Sequence, residues 1–438
     1  MYGERNTDTE RDQRKTLVSL SYGIFIGGTV VKKAGKILLV GLMALLLGAI
    51  AGAIVWAILR IINLGTDLIW CRSGLLYNLI VCIIGALLIG LWQRKIGILP
   101  EETEEVMGRI KTEGTYPYDR LHIIAVAVIL PLIFGGTLGP EAGLTGLIAG
   151  LCCWIGDSIK RRGDEVAALT ETGVAATLGV IFGAPLFGIV GQLEPDNRSE
   201  KYREKLLKKR GRIFLYCMGV AGGMLAMSGL GKIFGSGGGL PRFPREHALG
   251  IEQWKWAVPA IAVGIVFAMI YLLFNTVTKK LADKIIDRRI TSCLIAGVIL
   301  AIAGYFVPYT MFSGEHHMEI LIEGWQDMAV TGLIMTAIVK LLLVNVCINF
   351  GWKGGSIFPI IFAGVAVGYA FALVVGMDGA FAVALVVSAM YGYISRKPAA
   401  VVAIMLLCVP FTYIAPMIVA AVVGAKVPSP WDRKEISE

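Results

Sequence analysis

Long apolar runs, repeatedly cut by glycine and proline, constrain this chain more than any other feature. The runs at 37–59, 77–92, 124–134, 255–275, 293–307 and 360–376 are long or nearly free of charge. Several reach the roughly 20 residues that a helix needs to cross ~30 Å of hydrocarbon. A backbone inside a bilayer must satisfy its own polar groups, so the long runs read as spanning helices. The short or interrupted runs read as re-entrant or discontinuous helices sheltered by protein. With 438 residues, 56% of them hydrophobic, and a mean hydropathy of +0.71, the chain lies far from a soluble domain. The expected fold is an all-α polytopic membrane protein whose 54 glycines let helices approach closely.

The interruptions recur. FGGTLGPEAGLTGLIAG contains Gly135, Gly136 and Pro140; 219 residues on, WKGGSIFPIIFAGVAVG repeats the spacing with Gly354, Gly355 and Pro359. A second pair follows in register: GAPLFGIV with Pro185 and RKPAAVVAI with Pro398, 45 and 39 residues downstream. Paired breaks in two halves of a transport protein mark the usual place for an ion site, where half-helices turn their unpaired N–H groups inward. The halves are expected at about 37–197 and 212–424, joined through the charged stretch 195–212. A polar basic tail (1–36) precedes them and a short charged tail (425–438) follows.

The net charge of +9 is concentrated outside the spans, in clusters at 4–16, 32–36, 94–111, 160–162 and 198–212. Basic residues that flank spans follow the positive-inside rule, which places these loops in the cytoplasm and leaves no call for a nucleic-acid partner. The polar N-terminus carries no recognisable cleavable signal. The apolar spans make the cell membrane the expected location. The eight cysteines form no metal-binding spacing and read as small buried hydrophobes. His316 and His317 share a loop, SGEHHME, with no further ligand nearby. No metal or cofactor is expected.

Only the first glycine–proline break carries an acid, Glu141. A carboxylate at mid-membrane costs about 2.5–3.5 kcal/mol. Here Gly139 permits a close approach, Pro140 suits the first helical position, and the amides of Ala142, Gly143 and Leu144 follow. A charge-assisted hydrogen bond contributes roughly 1.5–3 kcal/mol and the helix dipole up to ~2, nearly cancelling that cost. A carboxylate balanced so evenly can be displaced by an anion or released by a proton. Opposite it, Gly355, Ser356, Ile357 and Phe358 offer amides without a full charge, so a small anion could bind and leave. A wetter helix end with Glu141 as a simple cap is the alternative.

These residues resemble the CLC family of chloride channels and chloride/proton exchangers. GPEAG at 139–143 is similar to the family's G-[KR]-E-G-P segment, which places Glu141 as the gate. GSIFP at 355–359 is similar to its G-x-F-x-P segment, and GAPLFGIV at 183–190 to the lead into its dimer interface. The resemblance, spanning about 37–424, implies an inverted repeat of tilted and re-entrant helices, a homodimer, and one anion pathway per subunit.

The departures are specific. Pro140 replaces the basic residue before the acid, and Gly143 stands where the family has proline. IGILP at 96–100 lacks the serine that would contact the anion. The exchangers' inner glutamate aligns with Pro195, one place beyond Glu194, which leaves Glu141 and Glu194 as the candidate proton path. No final helix with an anion-contacting tyrosine is visible after about Val427, and Tyr413 does not align. The chain is similar to a short bacterial ion-transport branch.

Passive, channel-like conduction of chloride or a similar small inorganic anion is the simpler expectation, since a coupled proton needs titratable stations across a dry path. The alternatives are a proton-coupled halide antiporter and, behind it, a carrier of small organic anions. An enzyme is not expected, because converging His, Asp or Cys groups are scarce in the spans. Lys340, inside TAIVKLLLVNV, is open to two roles: raising the potential for anions, or packing against interface or carbonyl groups. Trp352 and Lys353 read as an interfacial anchor or a pore mouth.

Overall fold

The computed structural model describes residues 7–97, 99–113, 115–158, 164–194, 209–235, 241–244, 251–285, 287–307 and 309–430. The first half comprises α1 (Thr7–Ile69), α2 (Leu75–Ile96), α3 (Thr103–Glu113), α4 (Leu121–Ile133), α5 (Glu141–Ser158), α6 (Asp164–Ile181) and α7 (Pro185–Leu193). The second comprises α8 (Lys209–Phe234), α9 (Ala257–Asp283), α10 (Arg289–Phe306), α11 (Glu315–Gly324) and α12 (Val330–Asn349). It continues with α13 (Ile357–Val375), α14 (Gly379–Ser395), α15 (Pro398–Cys408) and α16 (Ile414–Lys426). The expected hinge, with Pro195, lies mostly outside the described residues, as does most of the C-terminal tail.

Among the described residues, seven helices are long and apolar enough to cross a membrane, and they divide by burial. The spans at Leu38–Ile69, Leu75–Ile96 and Arg289–Phe306 are only about a third buried, and they turn residues such as Leu46, Ile80 and Ile302 outward. Ile357–Val375 is 78% buried, which places α13 at the centre. An apolar exterior around a more buried central helix is the arrangement a bilayer permits. Peripheral spans join through small residues. At the α1–α8 crossing a methyl built on Gly48 would lie 1.8 Å from the Gly219 carbonyl oxygen, so the backbones touch only because neither position carries a side chain.

Helix boundaries follow local chemistry, with some departures from the sequence reading. α1 begins at Thr7, so the helix runs on from the tail into the span without a break. α3 starts at Thr103, where the Glu102 N–H donates to the Glu105 carboxylate (3.2 Å), half of a capping box. The expected break at 183–185 is present, with Gly183 at φ 65° and Pro185 opening α7. α15 and α16 are separate helices, because Pro410 has no N–H to continue α15.

Candidate functional site

The two glycine–proline breaks meet. Gly139 donates to the Gly355 carbonyl (2.8 Å) and Gly355 donates to the Gly139 carbonyl (2.7 Å), an isolated antiparallel bridge between segments far apart in the chain. Each break then turns directly into a helix, α5 from the first and α13 from the second, so two helix starts share one pocket.

Glu141 fills that pocket. The residue is fully buried, and its Oε1 accepts the Ile357 N–H at 2.7 Å. The amides of Phe358 and of Glu141 itself also face the carboxylate. Its second oxygen, Oε2, is buried with no hydrogen-bond partner. The fit depends on glycine. A methyl on Gly355 would lie 2.0 Å from Glu141 Cδ, and one on Gly139 would lie 1.9 Å from Oε2. A carboxylate held by one strong bond, with its other oxygen unmatched, sits in a seat it does not wholly satisfy.

Not every amide expected to face an anion is available. Those of Gly139 and Gly355 are consumed by the bridge, and the Leu144 amide closes the first turn of α5 onto the Pro140 carbonyl (3.0 Å). These three are corrections to the sequence reading. A bare helix start was legible there, but the partner of each donor was not. Ala142 and Gly143 lie buried in the first turn of α5, while Ser356 and Ile357, at the head of α13, are half-buried.

Phe358 adds a contact that motif reading missed. Its ring stacks on Phe182 (centroids 4.5 Å apart, 17° between planes), and Phe182 meets Phe187 edge-on at 5.2 Å. The α6–α7 break of the first half is thereby pressed against the head of α13. The only sequence signal was the position of Phe182 immediately before the glycine of GAPLFGIV.

Glu194 lies elsewhere in the hydrogen-bond network. Its two oxygens accept the N–H groups of Ala399 (3.0 Å) and Ala400 (2.8 Å), so it caps α15 of the opposite half. A capping role predicts that Glu194→Ala lowers stability by about 1 kcal/mol. Thermal melting in detergent should show that loss, while anion flux per folded molecule and any proton movement with it stay unchanged.

Lys340 is committed to carbonyl groups. Its ammonium donates to the carbonyls of Tyr309 (3.1 Å), Met311 (3.1 Å) and Phe312 (3.0 Å) and lies 4.5 Å above the Phe362 ring. The turn it gathers has two non-glycine residues in the left-handed region, Tyr309 and Phe312. That turn in turn supports the first break: Thr137 donates its hydroxyl to the Thr310 carbonyl, and the Phe312 N–H donates to the Gly135 carbonyl. Lys340→Met should therefore lower stability by on the order of 3 kcal/mol, since three inward-facing carbonyls lose their donor. A melting midpoint equal to wild type would refute that role.

Trp352 is neither an interfacial anchor nor a pore mouth. It is fully buried, and its indole N–H donates to the Cys293 carbonyl at 3.0 Å behind the second break. Tyr413 donates its hydroxyl to Asp378 (3.1 Å), the residue that caps α14, so it too is a structural tie.

Comparison with known proteins bears on the fold and the family. The sequence profile described as voltage gated chloride channel matches residues 85–429. The ion-transport protein YfeO of Shigella sonnei is 26% identical over 357 residues, covering 77% of this chain and 79% of YfeO. YfeO from an Escherichia coli O1:K1 strain matches equally, at 26% over 357 residues. The crystal structure of a slow cyanobacterial Cl−/H+ antiporter superposes with a TM-score of 0.73 at 18% identity, covering 88% of this chain and 94% of that one. A CLC-type fluoride/proton antiporter gives 0.72 at 16% identity, covering 90% and 95%. The profile match over residues 85–429, most of the chain, places it in the CLC family of voltage-gated chloride channels.

Proposed function

We propose that the protein conducts chloride or a similar small inorganic anion passively across the cell membrane, with Glu141 as the gate. The observation that carries this reading is the carboxylate seated between two helix starts, one oxygen on the Ile357 amide and the other unpartnered. An anion that takes the same place meets amide donors and helix dipoles but no fixed cation, so it can bind and leave. Basic residues at the C-terminal ends of α2 and α9 and the N-terminal ends of α8 and α10 support an orientation with those ends in the cytoplasm. The apolar face made by Leu186 and Val190 of α7, Val402 and Leu406 of α15 and Ile418 of α16 supports a homodimer.

Antiport is the second reading, favoured by the superposed structures, which are described as Cl−/H+ and fluoride/proton antiporters. The commitment of both Glu194 oxygens to α15 favours conduction, because a proton station should not be tied up as a cap. Chloride-loaded vesicles holding the purified protein distinguish the two. Conduction gives chloride release that stops unless a separate ionophore balances the charge, with no matching proton uptake. Proton uptake in fixed ratio to chloride, driven uphill by a chloride gradient, would establish antiport.

A further inference from the structure

A cavity of about 310 Å³ opens beside Pro140, the immediate neighbour of Glu141. Its wall combines the last turns of α1 with the end of α4, the head of α5 and the turn that begins α11. By the orientation above, these ends face away from the cytoplasm, so an anion arriving from outside would reach the gate through this space.

The charges lining it are unfavourable to an anion, with one exception. α1 contributes Arg60 and Asp67, the α11 turn contributes Glu315 and His317, and Leu132 of α4 and Pro140 just before α5 carry none. Arg60 stands there against the carboxyl groups of Asp67 and Glu315. The residue directly before Glu141 is Pro140, which carries no charge. Arg60 is also the sole charge in α1 between Leu38 and Thr66, an apolar stretch that would otherwise exclude it. Trp56, Arg60, Asn63 and Asp67 follow one another at helical spacing, which puts Arg60 on one polar stripe with Asn63 and Asp67, all three on the cavity wall. The Trp56 indole N–H donates to the Gly235 carbonyl (3.1 Å), which fixes this face of α1 against the end of α8.

Resting on the anion-conduction reading, we propose that this cavity is the outer vestibule and that Arg60 governs admission of the anion to it, doing from α1 what no residue next to Glu141 can do. A charge in a low-dielectric cleft acts on the local ion concentration and arrival rate, so its signature is in low-anion flux and in salt dependence.

The test is flux from vesicles across a range of outside chloride concentrations. Arg60→Gln should reduce flux at low chloride by about threefold to tenfold and leave the saturating rate unchanged. Arg60→Lys should retain wild-type behaviour, and Asp67→Asn should raise flux at low chloride. Added impermeant salt should shrink all these differences. In a background lacking the exposed Cys71 and Cys217, Arg60→Cys should be restored by a cationic thiol reagent and lowered further by an anionic one. The proposal is overturned if labelled Arg60→Cys responds to neither reagent. It also fails if Arg60→Gln lowers the saturating rate and melting midpoint together without altering half-saturation, the pattern of a mere strut between α1 and α8. Parallel vesicles with Glu141→Ala separate the two readings: loss of flux there with the Arg60 effects intact defeats the gate and leaves the vestibule standing.

Discussion

Glu141→Ala is expected to raise anion flux at neutral pH by roughly tenfold to a hundredfold and to remove its dependence on pH. The magnitude follows from what the side chain must surrender to make room. A charge-assisted hydrogen bond of about 1.5–3 kcal/mol, the one to the Ile357 amide, holds the carboxylate in the seat. Each 1.4 kcal/mol is a factor of about ten in occupancy. Alanine has nothing to place there, so the anion no longer competes. The sign of the pH effect in the unmodified protein follows too. Protonation removes the charge that the amides and helix starts hold, so acid should free the seat and increase flux. Glu141→Gln, which mimics the neutral acid, should behave like the acidified protein at every pH. A well-folded alanine variant that no longer passes anions would mean that the carboxylate supports the pathway instead of blocking it.

Gly355→Ala should have an effect as large and of opposite sign. Its methyl would stand 2.0 Å from the carboxyl carbon and 2.1 Å from Oε1, within the volume that the carboxylate occupies. Gly355 has no positive φ, so alanine costs the backbone little and the substitution probes space alone. The informative molecule is the double variant with Glu141→Ala, in which the side chain can no longer clash. If the anion uses the seat that the carboxylate vacates, the double variant should conduct about tenfold or more below Glu141→Ala alone, as expected when a group is forced into a close-packed site. Equal flux from the two would show that the anion passes somewhere else, whatever Glu141 does.

The polytopic helical fold was legible because a bilayer leaves few choices: apolar length sets the spans, and glycine with proline marks where they break. The position of Glu141 was legible for a similar reason, since an acid just after proline at a helix start is a local pattern. What stayed hidden were partners distant in sequence. The bridge that takes the Gly139 and Gly355 amides joins residues 216 apart, and nothing in either segment names the other. The Glu194 cap on Ala399 and Ala400 crosses between the halves in the same way. Lys340 was ambiguous because a buried cation needs oxygen, and backbone carbonyls as acceptors leave no trace in side-chain identity. Trp352 misled for the opposite reason: tryptophan followed by lysine is common at membrane interfaces, yet its indole N–H found a buried carbonyl.

The paired hydrogen bonds between Gly139 and Gly355 act as a clasp between the two repeats. Transporters that rock one repeat against the other must let such a seam slide, and sliding here would break both bonds at once inside the membrane, where no water replaces them. On the conduction reading proposed above, the scaffold holds still while a single side chain swings.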